Sequence, residues 1–152
     1  MPSGIKTEEV APRIKSLLVT PRALDYNRIN IPTHKGGTSM ITRKEQQAHS
    51  VREYMRGGMK HVQFDDLSAA LPERVRVFSV LTLIPGASIG YHVHENETEL
   101  FYFLEGNGRF QDDDKVYDIS AGDSTATFSG HGHAVENTGD TNLVLLACIV
   151  KD

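Results

Sequence analysis

The sequence predicts an all-β fold, a sandwich or small barrel, with an N-terminal arm ahead of it. Three observations lead there. From Arg74 onward, short apolar runs alternate with turns rich in Gly, Asn and Asp, which is the signature of short strands closely spaced. The chain has 152 residues, 39% of them hydrophobic and 24% charged, which suits one globular domain with a substantial core. His92 and His94 are two apart in one of those runs, so on a strand both imidazoles leave the same face.

Taken in order, residues 1–39 read as the arm. Pro2, Pro12, Pro21 and Pro32 recur through it and Gly36-Gly37 closes it. Proline fixes φ and removes a ladder donor, so only 14–20 (I-K-S-L-L-V-T) suits a short strand, lying along the surface or across a partner subunit. Residues 40–152 form the single β domain. Thr42 and Glu45 match a capping box, which predicts a short helix over 43–49. Arg56-Gly57-Gly58 marks a turn, 60–64 a strand, and Asp65-Asp66 the cap of one helical turn through Leu71 before Pro72. Eight further strands are expected at 75–84, 89–94, 99–104, 108–111, 115–119, 124–128, 133–137 and 142–150.

Composition narrows the function. A net charge of −4 lacks the basic excess of a nucleic-acid-binding surface. No run approaches the ~18 apolar residues of a membrane span, and residues 1–10 contain no secretory apolar region. One cysteine, Cys148, excludes an intrachain disulfide and fits a reducing cytosol, so the expectation is a cytoplasmic protein with no nucleic-acid or membrane partner. Cys148 sits in an apolar run without a flanking base or cation and reads as a buried small hydrophobe. Gly106-x-Gly108 is followed by a strand, so it is no dinucleotide fingerprint.

The chemistry lies between Gly86 and Gly106. His92, His94 and Glu99, on adjoining strands, offer two imidazoles and a carboxylate to a divalent metal, and His133 adds a fourth donor from a later turn. Glu95 and Glu97 are nearer to His94 in sequence, but both fall in the polar turn, where a solvated carboxylate is expected. His131 makes a second His-x-His with His133, yet Gly130 and Gly132 place it on an exposed turn. His34, His49 and His61 lie outside the strands that carry the site. Three imidazoles with one carboxylate suit Mn²⁺, Fe²⁺, Co²⁺, Ni²⁺, Cu²⁺ or Zn²⁺, and an octahedral ion so held keeps two open positions. Period two turns Phe101 and Phe103 inward with Glu99 and Tyr102 outward. On the preceding strand Arg76, Phe78, Val80 and Thr82 share a face; Arg76 and Phe78 are candidates for the pocket wall, with Arg76 able to meet an anion. Asp112-Asp113-Asp114 reads as a solvated hairpin turn.

These residues carry a resemblance to the cupin superfamily. Gly86, His92, His94, Glu99 and Gly106 match its first motif, and Gly122, Gly130, His133 and Asn137 its second, with Phe128 where proline is usual. The resemblance covers about 74–150, and the 52–64 stretch is similar to the lead-in of small single-domain bacterial cupins, many without an assigned activity. It implies a double-stranded β-helix (a small jelly-roll barrel), inward-pointing ligands and a homodimer made through N-terminal strands. It also implies one divalent metal, Mn or Fe ahead of Ni, Zn, Co and Cu, and a small-molecule ligand. The function so implied is a metal-dependent enzyme acting on a small polar acid, diol or sugar derivative as a dioxygenase, decarboxylase or isomerase. The alternatives are a non-catalytic metal-containing binding or sensing protein, and a structural dimer stapled by its metal.

Overall fold

The computed structural model describes residues 41–152. The expected arm over 1–39, its 14–20 strand, its dimer role and His34 lie outside the described residues. Among the described residues, ten antiparallel strands make two sheets. The larger runs in the order β1 (Ala48–Glu53), β2 (His61–Asp66), β3 (Val75–Leu83), β10 (Leu143–Lys151), β5 (Glu97–Glu105) and β8 (Ser124–Thr127). The smaller is β4 (Ser88–Val93), β9 (Gly132–Glu136), β6 (Asn107–Asp112) and β7 (Lys115–Ser120). All eight strands expected beyond Arg74 are present, and so is the 60–64 strand, which runs on to Asp66. Among the described residues no helix is long and apolar enough to cross a membrane.

Alternation builds the core. Leu143, Leu145 and Ala147 of β10 face inward between Leu81 and Leu83 of β3 and Phe101 and Phe103 of β5, and all are buried. Ile89, Phe110 and Val135 close over them from the smaller sheet. Asn137, the asparagine of the second motif, is fully buried and locks the end of the sandwich. Its amide donates to the Leu83 carbonyl (2.7 Å) and the Thr141 carbonyl (2.8 Å), and its oxygen accepts from Gly139 N–H (3.0 Å).

Three local expectations are corrected. In place of a helix over 43–49 there is one 3-10 turn, Lys44–Gln46, followed by β1; Arg43 and Gln46 close that turn, not Thr42 and Glu45. β1 pairs residue for residue with β2, and that ladder outweighs a weak helical preference. No helical turn follows Asp65-Asp66, because both belong to β2 and pair with β3, and Asp66 accepts a hydrogen bond from the Ser79 hydroxyl (2.7 Å). Cys148 is half-buried on the outward face of β10, not in the core, and burial pushes its thiol pKa up.

Candidate metal centre

His92 lies on β4 directly opposite His133 on β9, in the smaller sheet. Glu99 lies on β5 in the larger sheet, paired with Ile149 and Thr127. The cluster therefore forms between the sheets, where the inward faces of both meet. His94 follows the end of β4 and is bracketed by backbone bonds, its N–H donating to the His131 carbonyl and its carbonyl accepting from Gly130 N–H. A register shift between Ile89 and His92 distorts β4 ahead of the ligand, and the Gly90 carbonyl accepts the His92 Nδ1 proton (3.0 Å).

Each imidazole is tied by Nδ1 and aims Nε2 inward. His94 Nδ1 donates to Glu97 (2.9 Å), and His133 Nδ1 pairs with the Thr127 hydroxyl (3.0 Å). His94 Nε2 is 3.1 Å from Glu99 Oε2 and 3.1 Å from His133 Nε2. His133 Nε2 is 2.8 Å from Glu99 Oε2 and 3.3 Å from His92 Nε2, while His92 Nε2 and Glu99 Oε2 stand 3.8 Å apart. All four donor atoms lie within 4.8 Å of one another. Nitrogen lone pairs at such distances repel unless a proton or a cation lies between them. Metal–ligand bonds of about 2.1 Å separate adjacent donors by about 3.0 Å in an octahedron and about 3.4 Å in a tetrahedron. The observed separations straddle both values, so the four donors are close enough to hold one divalent ion, and the donor chemistry suits a transition metal.

Residues 79–149 match the family model of the cupin domain. Over 118 residues the chain is 41% identical to the oxalate-binding protein of Thermotoga maritima, across 76% of this chain and 98% of that protein. The chain belongs to the cupin family. A solved structure of a predicted oxalate decarboxylase, also from Thermotoga maritima, is 39% identical to this cupin with a TM-score of 0.70, covering 74% of this chain and all of that one (100%). The cupin domain of Schizosaccharomyces pombe Cnp3 shares the fold at 13% identity, with a TM-score of 0.57 over 68% of this chain and 69% of that one.

The electrostatics of the cupin's cluster follow from its burial. Burial raises the Glu99 pKa, but the hydrogen bonds of His133 and His94, with the His92 ring close by, overcome it and hold the carboxyl well below the usual carboxylate range. The Glu99 hydrogen bond, with that of Glu97, raises His94 above the ordinary imidazole value against burial. Burial pushes His133 down, outweighing Glu99. A permanent anion at the centre of three imidazoles is an arrangement in which a cation can replace the shared protons.

A small cavity of about 40 Å³ opens over the cluster. Phe101 lies on its wall and stacks on His133 (centroids 5.1 Å apart), whereas Phe103 is sealed in the core away from it. Arg76 also reaches the cavity, since the ladder between β3 and β10 slips at Val75 and Val77 and leaves Arg76 without a partner on β10. Its guanidinium is already engaged, forking onto both Glu97 oxygens (2.7 and 2.6 Å).

Phe78 and His131, expected near the site, do not line the cavity. The inner face of β3 is set by Ser79, Leu81 and Leu83, so Phe78 falls on the outer face, 37% exposed. His131 is carried outward on its glycine-flanked turn and pairs with Asp113 (2.7 Å). Sequence reasoning missed three features. Glu97, assigned to solvent, has a side chain only 15% exposed and anchors His94 to Arg76. Thr127, next to the atypical Phe128, orients His133. Arg52 and Arg56, from β1 and the turn after it, stand on the cavity wall. Only the Arg56-Gly57-Gly58 turn was visible in advance.

Proposed function

We propose that this cupin holds a divalent transition metal at His92, His94, Glu99 and His133, and through it binds a small dicarboxylic acid of the oxalate type. The observation that carries this is the four-donor cluster, three of whose members, His92, His94 and Glu99, line the small cavity. A cavity of about 40 Å³ favours a two-carbon acid over a sugar. The likeness to an oxalate-binding protein over nearly its whole length supports the same ligand class. When bound, the metal supplies a Lewis-acidic centre that a bidentate acid can chelate.

Turnover is the second reading, favoured by the two positions that an octahedral ion would leave open. Against it, the described cavity wall offers arginines and apolar side chains, and beyond the four ligands no carboxylate, imidazole or hydroxyl to move a proton. Calorimetric titration of oxalate into Mn²⁺-loaded and EDTA-stripped protein tests the proposal. Binding is expected only in the loaded form. Equal binding to both forms, or to neither, overturns it. Release of CO₂ from oxalate by the loaded protein would favour the enzymatic reading over simple binding.

A further inference from the structure

Three arginines surround the cavity, and they are not equivalent. Arg76 is neutralised by its fork onto Glu97. Arg52 and Arg56 have no carboxylate partner among the described residues; Arg52 rests on the Phe64 ring, 4.0 Å from its centroid. Two arginines without a carboxylate partner among the described residues thus line a cavity whose other walls include Met55, Val77 and Ile89, in a chain whose net charge is −4.

The backbone that presents Arg56 is unusual. Tyr54 (φ 48°) and Arg56 (φ 55°) both adopt the left-handed conformation around the 3-10 turn Met55–Gly57. That conformation is strained for any side chain except glycine. The turn is also seated against the metal strand by backbone contact. A Cβ on Gly90 would strike the Arg56 carbonyl, and one on Gly58 the Ser88 carbonyl. Ser88 closes the seat, accepting Met59 N–H on its hydroxyl (2.8 Å) and donating its own N–H to the Met59 carbonyl (3.0 Å). Gly90 is the residue whose carbonyl holds His92, so Arg56 and a proposed metal ligand are positioned from one backbone site.

We infer that Arg52 and Arg56 form a carboxylate clamp: a small dicarboxylate chelated at the cluster is recognised from the same cavity wall by these two guanidinium groups. Planar, permanently charged forks suit a carboxylate, and Lys would not reproduce that geometry. The clamp rests on the metal-and-acid reading above and adds its selectivity for anionic ligands. Arg52 and Arg56 touch the acid and not the ion, so they govern ligand affinity without governing metal content.

The test uses the full chain loaded with Mn²⁺, with metal content, thermal midpoint and oxalate affinity measured in parallel. Arg56→Gly removes the charge and relieves the backbone, so it is expected to keep its metal, melt no lower than the wild type, and bind oxalate at least tenfold more weakly. Arg52→Gln is expected to weaken oxalate several-fold, the double variant more than either, and Arg56→Lys to recover only part of the loss. Wild-type oxalate affinity in a metal-replete double variant overturns the clamp while leaving the metal-and-acid reading intact. Failure of the loaded wild type to bind oxalate overturns both. Loss of metal from Arg56→Gly would make the arginine a structural support and also overturn the clamp.

Discussion

Replacing Glu97 with glutamine is expected to weaken metal binding about tenfold and leave the fold intact. Glu97 accepts the Nδ1 proton of His94 at 2.9 Å, and that bond keeps the Nε2 lone pair aimed at the centre. Glutamine can still accept through its amide oxygen, but without charge. Charge-assisted hydrogen bonds contribute about 1.5–3 kcal/mol and neutral ones about 0.5–1.5 kcal/mol, so the difference is roughly 1–1.5 kcal/mol. That converts to about a tenfold change in affinity. Arg76 would lose its charged partner, but its side chain is 42% exposed and water can take over. A second effect opposes the first. Glu97 helps to raise the His94 pKa, so the substitution also weakens the proton that competes with metal. The deficit should therefore be larger at pH 8, where that competition has faded, than at pH 6. Competition against a chromophoric chelator at both pH values measures it. A folded Glu97→Gln protein that binds metal within twofold of the wild type at pH 8 would refute the anchoring role.

Other perturbations separate metal, proton and packing contributions. His94→Ala should abolish the thermal shift that metal produces in the wild type, which amounts to about 4 kcal/mol at a thousandfold excess over Kd; an undiminished shift argues against the site. Wild-type metal affinity should fall as pH drops from the raised His94 value through the ordinary imidazole range, because the ion must displace the His94 proton into solvent; affinity flat from pH 8 to 6 contradicts this. In metal-free protein the depressed Glu99 contributes stability that is present above the unfolded carboxyl value of about 4.5 and is lost as pH falls toward its folded value. Melting temperatures unchanged between pH 5 and 3 would count against that coupling. Asn137→Ala removes two hydrogen bonds donated from a fully buried side chain and should cost about 2 kcal/mol in chemical denaturation, with metal content unchanged.

Much of this protein was legible along the chain because its information is local. Strand alternation and turn residues place the eight β-strands beyond Arg74, and period two brings His92 and His94 to one face with Glu99 five residues on. The glycine frame singled out His133 as a candidate fourth donor from nearly forty positions away, and the fold brings it to the other three. Other features depend on which strands become neighbours. The 43–49 segment looked helical until β2 offered β1 a ladder. Phe78 was placed on the wrong face because the burial of Ser79, Leu81 and Leu83 sets the phase of β3. The irregular ladder at its start brings Arg76 to the cavity regardless. Glu97 looked like any carboxylate of a polar turn, and only the fold joins it to both Arg76 and His94. The sequence by itself determined which four side chains could hold an ion: donor type and short spacing are covalent facts for His92, His94 and Glu99, and the glycine-framed second motif adds His133. Tertiary structure decided which nitrogen of each histidine faces inward and which arginines overlook the cavity. Those depend on hydrogen bonds and backbone contacts between segments far apart in the chain.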